Sequence, residues 1–451
     1  MSQVSRRHEN FALAALVVKW SLLGAWVGVL SGSASAFFLW LLELATDSRK
    51  EHNWLLFLLP AAGAFIGIVY TRHGKTVGGG NNLLLERVHD PNGSIPFRMA
   101  PLILFTTVLT HLFGGSAGRE GTAVQMGGTL ADLAVLPLKL SKDDRRILIM
   151  TGIAAGFGSV FGTPIAGAIF GLEVITIGRI KYDALVPCLV ASLVGDLVCR
   201  EWGIKHVGYA APSVLHLTPV ILLSILMVSI LFAGASAGFA ELTHWIQSLG
   251  KGIKGAHYMR PIIGGFVVIA LTLMVGNQDY NGLGIPLIKR SFFVGEVPLY
   301  GFALKILFTA FTLGAGFKGG EVTPLFCIGA TLGAAFAQVT HQDPALYATL
   351  GFVAVFAGAA NTPIACTIMG VELFGGHLIV PLAISCILTY ILSGHRGIYL
   401  SQQVHHPKTH HAQIEEGQTL RSLHLDGFHV HRPLFRLNWR KEKDVREDEE
   451  A

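Results

Sequence analysis

The sequence predicts an all-α polytopic membrane protein, built as two homologous halves whose broken helices meet at a central site. Three observations predict it. Only 14% of the 451 residues are charged and 51% are hydrophobic, against about 25% charged in a soluble domain. Apolar stretches of helical length, rich in Leu, Ala, Ile and Val, follow one another along the chain; that composition argues against a β-barrel. Similar Gly- and Pro-broken segments then recur in the two halves at nearly one offset.

Taken in order, Met1 to His8 carries Arg6 and Arg7 ahead of an apolar run over Phe11–Ala45. Ala34-Ser35-Ala36 imitates a signal-peptidase site, but the run before it is too long for a signal peptide and reads as a retained helix. The two arginines place that terminus in the cytoplasm. A second apolar run covers Trp54–Tyr70. Gly78-Gly79-Gly80 then ends one element, and a short helix starts at Asn81 and Asn82, read as N-cap residues. Apolar segments follow at Ala100–Phe113, Thr122–Leu138, Ile147–Ile177, Ala184–Cys199 and Thr218–Ile246. The second half adds Ile262–Val275, Leu299–Phe317, Val322–Val339, Ala345–Phe374 and Leu378–Leu392. Between Gly301 and Gly394 the only charged residues are Lys305, Lys318, Glu321, Asp343 and Glu372. The loop cluster from Lys139 to Arg146 suits the cytoplasmic face.

Three units result: a first transmembrane half over 1–200, a second over 201–401, and a polar tail over 402–451. The tail carries His405, His406, His410, His411, His424, His429 and His431 and closes on Glu447-Asp448-Glu449-Glu450. It lacks the fixed ligand spacing of a metal site and reads as a solvated tail. The five cysteines are odd in number and sit in apolar runs, so they read as packing residues. The net charge of +5 comes largely from loops and tail and is no sign of nucleic-acid binding. No cofactor motif is present.

The chemistry concentrates at Gly114-Gly115-Ser116-Ala117-Gly118-Arg119-Glu120-Gly121-Thr122, a Gly-rich turn between two apolar runs. Ionisable groups at membrane depth are costly and usually face a cavity, a partner or a permeating substrate. Arg119 and Glu120 also fit an interfacial pair that caps a helix. The repeat argues for more. Gly162-Thr163-Pro164-Ile165-Ala166 through Glu173 resembles Asn361-Thr362-Pro363-Ile364-Ala365 through Glu372, and Glu120-Gly121-Thr122 resembles Glu321-Val322-Thr323. Each Gly-rich break starts a helix near mid-membrane, with free N–H groups and the positive dipole end pointing inward. Several such ends make an anion site. Asn81, Glu120, Glu321 and Thr323 all lie at breaks. An ionised Glu120 competes with an anion there, and a protonated one does not.

Gly118-Arg119-Glu120-Gly121, the Gly80-Asn81-Asn82-Leu83 break, the stretch from Gly316 to Pro324, and Tyr399 together resemble the CLC family of anion channels and proton-coupled antiporters, over about Asn10 to Ser401. Chloride-type members have Ser where Asn81 stands, Pro at Thr122, and Gly-x-Phe-x-Pro where this chain reads Gly320-Glu321-Val322-Thr323-Pro324. Those departures resemble the bacterial fluoride/proton antiporter branch. The position of the chloride antiporters' second proton glutamate is Val174 here.

The resemblance implies a CLC-type fold and a homodimer in the inner membrane with cytoplasmic termini, exporting fluoride against protons. It implies that Glu120 gates and takes the proton, that Glu321 and Thr323 are a branch-specific core pair, and that Asn81, Gly118, Arg119, Gly121, Thr122 and Tyr399 line the anion site. Glu173 and Glu372 read as structural helix-end partners, and Lys318 as either a source of positive potential or a turn cap. Fluoride is small and strongly hydrated, so several close donors must offset its desolvation; Asn amide and Thr and Tyr hydroxyls supply them. The rivals are a chloride channel or chloride/proton antiporter, an intramembrane enzyme using Glu120 and Glu321, and a membrane scaffold without ion flux. The enzyme reading finds no His-Glu-x-x-His motif and no Ser–His pairing.

Overall fold

A computed structural model describes residues 3–135, 137–210, 212, 217–249, 256–409 and 414–426. The predicted tail from His410 onward lies largely outside them, as do His429, His431 and the closing acidic run.

The first half runs α1 (Gln3–Glu51), α2 (Leu59–His73), α3 (Asn81–His89), α4 (Met99–Leu112), α5 (Glu120–Asp132), α6 (Lys142–Phe161), α7 (Pro164–Glu173) and α8 (Leu185–Glu201). The second runs α9 (Pro219–Ser248), α10 (Ala256–Val275), α11 (Ile285–Arg290), α12 (Gly301–Ala315), α13 (Val322–Thr340), α14 (Pro344–Ala360), α15 (Pro363–Phe374) and α16 (Ile379–Leu392). Six helices among the described residues are long and apolar enough to cross a membrane. The 49 residues of α1 reach ~70 Å at about 1.5 Å per residue, far beyond a bilayer core of about 30 Å. Residues 10–18 are accordingly exposed all round, and burial starts at Trp20.

Two predicted spans break, and they break at corresponding places. Ile147–Ile177 divides into α6 and α7 because Gly162 takes a left-handed φ of 75° and Pro164 follows it. Ala345–Phe374 divides into α14 and α15, where Asn361 takes φ 58° ahead of Pro363. Asn81 is a correction of another kind. It is the first residue of α3, and Gly80, at φ 57°, holds the N-cap position.

The halves run in opposite directions, as two contacts demonstrate. Glu173, ending α7, accepts from the N–H groups of Ile364 (3.0 Å) and Ala365 (2.8 Å) at the start of α15. Glu372, on the last turns of α15, accepts from Ile165 (2.9 Å) and Ala166 (2.8 Å) at the start of α7. Each carboxylate caps the other half's helix, which requires antiparallel α7 and α15. At the centre, Gly118 and Gly320 form an antiparallel bridge, N–H to carbonyl at 2.6 and 2.8 Å in the two directions.

Beyond α16 the chain docks back on the body. β1 (Thr176–Ile177) pairs in parallel with β2 (Gln403–Val404), and α17 (Leu420–Asp426) follows. Gln402 is fully buried and donates to the carbonyls of Val174 (2.9 Å) and Ala360 (2.8 Å), one in each half. Among the described residues no group of three or more His, Cys, Asp or Glu is placed to hold a metal ion.

Candidate anion site at the crossing of the two halves

Glu120 opens α5 and is fully buried. The Gly118–Gly320 bridge sets the start of α5 against the start of α13, so the Glu120 side chain falls on the free N–H groups of α13. The carboxylate accepts from the backbone N–H of Thr323 (3.1 Å), from the Thr323 hydroxyl, and from the backbone N–H of Arg119 (3.1 Å). The Arg119 Nε lies 3.5 Å away. The N-terminal N–H groups and dipole end of α13 favour a negative group at this position, and the Arg119 cation adds to them.

Two glycines make this approach possible. A Cβ on Gly118 would come 2.9 Å from both Glu120 Oε2 and Pro324 Cδ. A Cβ on Gly121 would come 3.0 Å from Asn81 Nδ2 and 3.1 Å from Gly320 Cα, with Glu321 Oε2 at 3.8 Å. Gly121 is thus the point where α3, α5 and the start of α13 converge, and Asn81 and Glu321 approach it from two sides. Glu321 is partly exposed and makes no ion pair among the described residues.

Asn81 and Tyr399 line a narrow space of about 10 Å³, with Val124, Ile153, Phe170 and Val174 among its other walls. That is near the smallest volume that holds one water molecule. The Asn81 Oδ1 is buried with no hydrogen-bond partner. Tyr399 is 4% exposed.

The structure therefore brings Gly118, Arg119, Glu120 and Thr323 into one cluster, with Asn81, Gly121, Glu321 and Tyr399 beside it. Thr122 behaves differently from the sequence expectation. Its hydroxyl is bonded to that of Thr107 on α4 at 2.8 Å and does not face the cluster. Lys318 stands over the Tyr70 ring, its ammonium 4.1 Å from the centroid, which decides neither of its two readings. Sequence reasoning missed Gln125, whose amide a Cβ on Gly80 would approach at 3.4 Å. It also missed Lys305, fully buried behind the Glu120 loop. Neither residue belongs to a repeated motif; the only sequence signal was the charge of Lys305 inside a long apolar stretch.

A model of the voltage gated chloride channel family matches residues 62–394. A protein of Pseudomonas syringae pv. tomato named chloride/fluoride channel protein is 46% identical over 417 residues, 91% of this chain and 92% of that one. An H+/Cl− exchange transporter of Cronobacter sakazakii is 26% identical over 410 residues, 82% of this chain and 86% of its own. The crystal structure of a CLC-type fluoride/proton antiporter superposes with a TM-score of 0.83 at 33% identity, covering 87% of this chain and 99% of that chain. A slow cyanobacterial Cl−/H+ antiporter shares the fold at a TM-score of 0.75 and 19% identity. With the match spanning both halves and the break at Glu120, the chain belongs to the voltage-gated chloride channel, or CLC, family.

Proposed function

We propose that this protein exchanges fluoride for protons, exporting fluoride from the cytoplasm, with Glu120 as the gating and proton-carrying residue. One observation carries the reading: the Glu120 carboxylate rests on the N-terminal donors of α13, a built anion site filled by the protein's own side chain. An ionised carboxylate and a small anion compete for the same N–H and hydroxyl donors. Protonation removes the charge that holds Glu120 there, so the donors become free for the anion. Anion entry and proton uptake are thereby linked.

Fluoride is the favoured anion on chemical grounds. Asn81 and Tyr399 offer short-range donors around a very small space, and Thr323 offers its hydroxyl at the Glu120 carboxylate, which suits a compact, strongly hydrated ion. The name of the fluoride/proton antiporter points the same way, and the Pseudomonas relative is named for both chloride and fluoride. Chloride/proton exchange is the second reading, favoured by the Cronobacter relative. In this reading the protein is an inner-membrane homodimer with cytoplasmic termini, and Glu321 and Thr323 assist Glu120 as a core pair.

The test is an efflux assay on purified protein in liposomes, with fluoride or chloride inside and proton movement recorded. Fluoride should leave faster than chloride and should drive protons uphill. Glu120→Gln should abolish the fluoride-driven proton movement. Chloride leaving as fast as fluoride would favour the second reading, and full coupling in Glu120→Gln would remove Glu120 from its role.

A further inference from the structure

Three buried basic side chains back the loop that carries Glu120, on the side where α1 ends. Lys305 on α12 is fully buried, and its ammonium donates to the Ser116 hydroxyl (2.9 Å) and the carbonyls of Tyr280 (3.0 Å) and Gly282 (2.9 Å). Arg49, near the end of α1, is 6% exposed; it donates to Gln278 at 2.8 Å, and its Nε has no acceptor. His111 on α4 is 1% exposed, with Nε2 3.5 Å from the Gly118 carbonyl and Nδ1 without a partner. Arg49 and His111 converge: a Cβ on Gly282 would lie 3.1 Å from Arg49 Nη2 and 3.7 Å from His111 Nδ1.

Among the described residues neither Lys305 nor Arg49 forms an ion pair with a carboxylate. Asp279, on the adjoining loop, is paired with Arg290 at 2.5 Å. Neutral oxygens satisfy the donors of Lys305 but leave its charge uncompensated, and such a charge inside a membrane protein is costly. Meanwhile Lys305 is tied to the loop itself. Ser116 also bonds Thr309 (2.8 Å) and Thr312 (3.0 Å) of α12, and Asn281 donates to the Gly114 carbonyl at 2.7 Å.

We propose that Lys305, reinforced by Arg49, is a positioning residue for anion uptake: it pins the base of the Glu120 loop through Ser116, and its unpaired charge draws a halide toward the donors that Glu120 now occupies. The permeating anion is the mobile counter-charge that the fold omits. This inference rests on the exchange reading above and adds to it a device that sets anion affinity at the Glu120 donors.

Fluoride and chloride binding to the full-length protein in detergent, measured by titration calorimetry beside thermal unfolding, tests it. Lys305→Gln keeps two donors and loses the charge. It should weaken halide binding about tenfold, while Lys305→Arg should stay within about twofold of wild type because the charge remains. Wild-type affinity in Lys305→Gln, or equal weakening in Lys305→Arg, overturns the proposal. Should Lys305→Gln not fold, Arg49→Gln decides: about threefold weaker binding supports it, and unchanged affinity overturns it. A wild-type protein that binds neither halide would overturn the exchange reading as well, which separates the two failures.

Discussion

In the exchange reading proposed above, the Glu120 side chain stands where the anion would bind. Its carboxylate carries the charge of a bound anion; of its donors, the Thr323 N–H and hydroxyl belong to the opposite half of the molecule and the Arg119 N–H to its own. The Arg119 guanidinium adds a cation, its Nε 3.5 Å away, to the hydrogen bonds from the Arg119 and Thr323 backbone. Asn81 makes its contribution from the other side of Gly121, through an amide whose oxygen has no protein partner. Replacing it with the shorter Ser should withdraw one donor from the narrow space. Asn81→Ser is expected to lose about tenfold of the preference for fluoride over chloride, the worth of one hydrogen bond. Parallel efflux measurements with the two halides check it, and an unchanged ratio removes Asn81 from selectivity.

Helix ends govern the next scale. α7 and α15 begin at Pro, lack side-chain caps of their own, and each receives a carboxylate from the other. A glutamate on two N–H groups at a helix N-terminus satisfies orphan donors and meets the dipole with the right sign. Repetition of Glu173 and Glu372 in the sequence thus has a structural cause, as their helix-end reading expected. Glu173→Gln keeps one acceptor and loses the charge. It should lower stability by about 1–2 kcal/mol, seen as a reduced midpoint in thermal unfolding, while halide selectivity stays as in wild type. Unaltered stability with lost transport would instead make Glu173 part of the transport path.

At the scale of the whole molecule, small residues let the halves close on the site. A Cβ at Gly127 would overlap the backbone of Gly152, and one at Gly329 that of Gly351. These pairs hold α5 to α6 and α13 to α14, the helices that carry the two central breaks and their neighbours. Without a hydrophobic drive between helices in lipid, such close approach is a main source of association. Gly329→Ala should therefore cost on the order of 3 kcal/mol and move the donors of α13. Gly234→Ala, where a Cβ would meet nothing within 4 Å, should stay within about 0.5 kcal/mol of wild type. Size-exclusion profiles and unfolding midpoints of the two variants test the contrast, and equal behaviour would remove the packing argument.

The sequence by itself determined the class, the repeat and the Gly-rich breaks ahead of α3, α5 and α13, because hydropathy and glycine act locally on the backbone. The turns at Gly162 and Asn361 instead divided apolar runs that read as single segments, although the Pro residues after them recur at matching places in the two halves. The sequence also marked Glu120, since a carboxylate between two apolar runs is conspicuous in any fold. Tertiary structure alone decided which donors meet which acceptors. Thr122 stands next to the site residues in sequence yet turns its hydroxyl to Thr107. Lys305 is far from Glu120 in sequence yet anchors its loop through Ser116. Both outcomes follow from how the two antiparallel halves cross at Gly118 and Gly320, a long-range arrangement that local preferences do not encode.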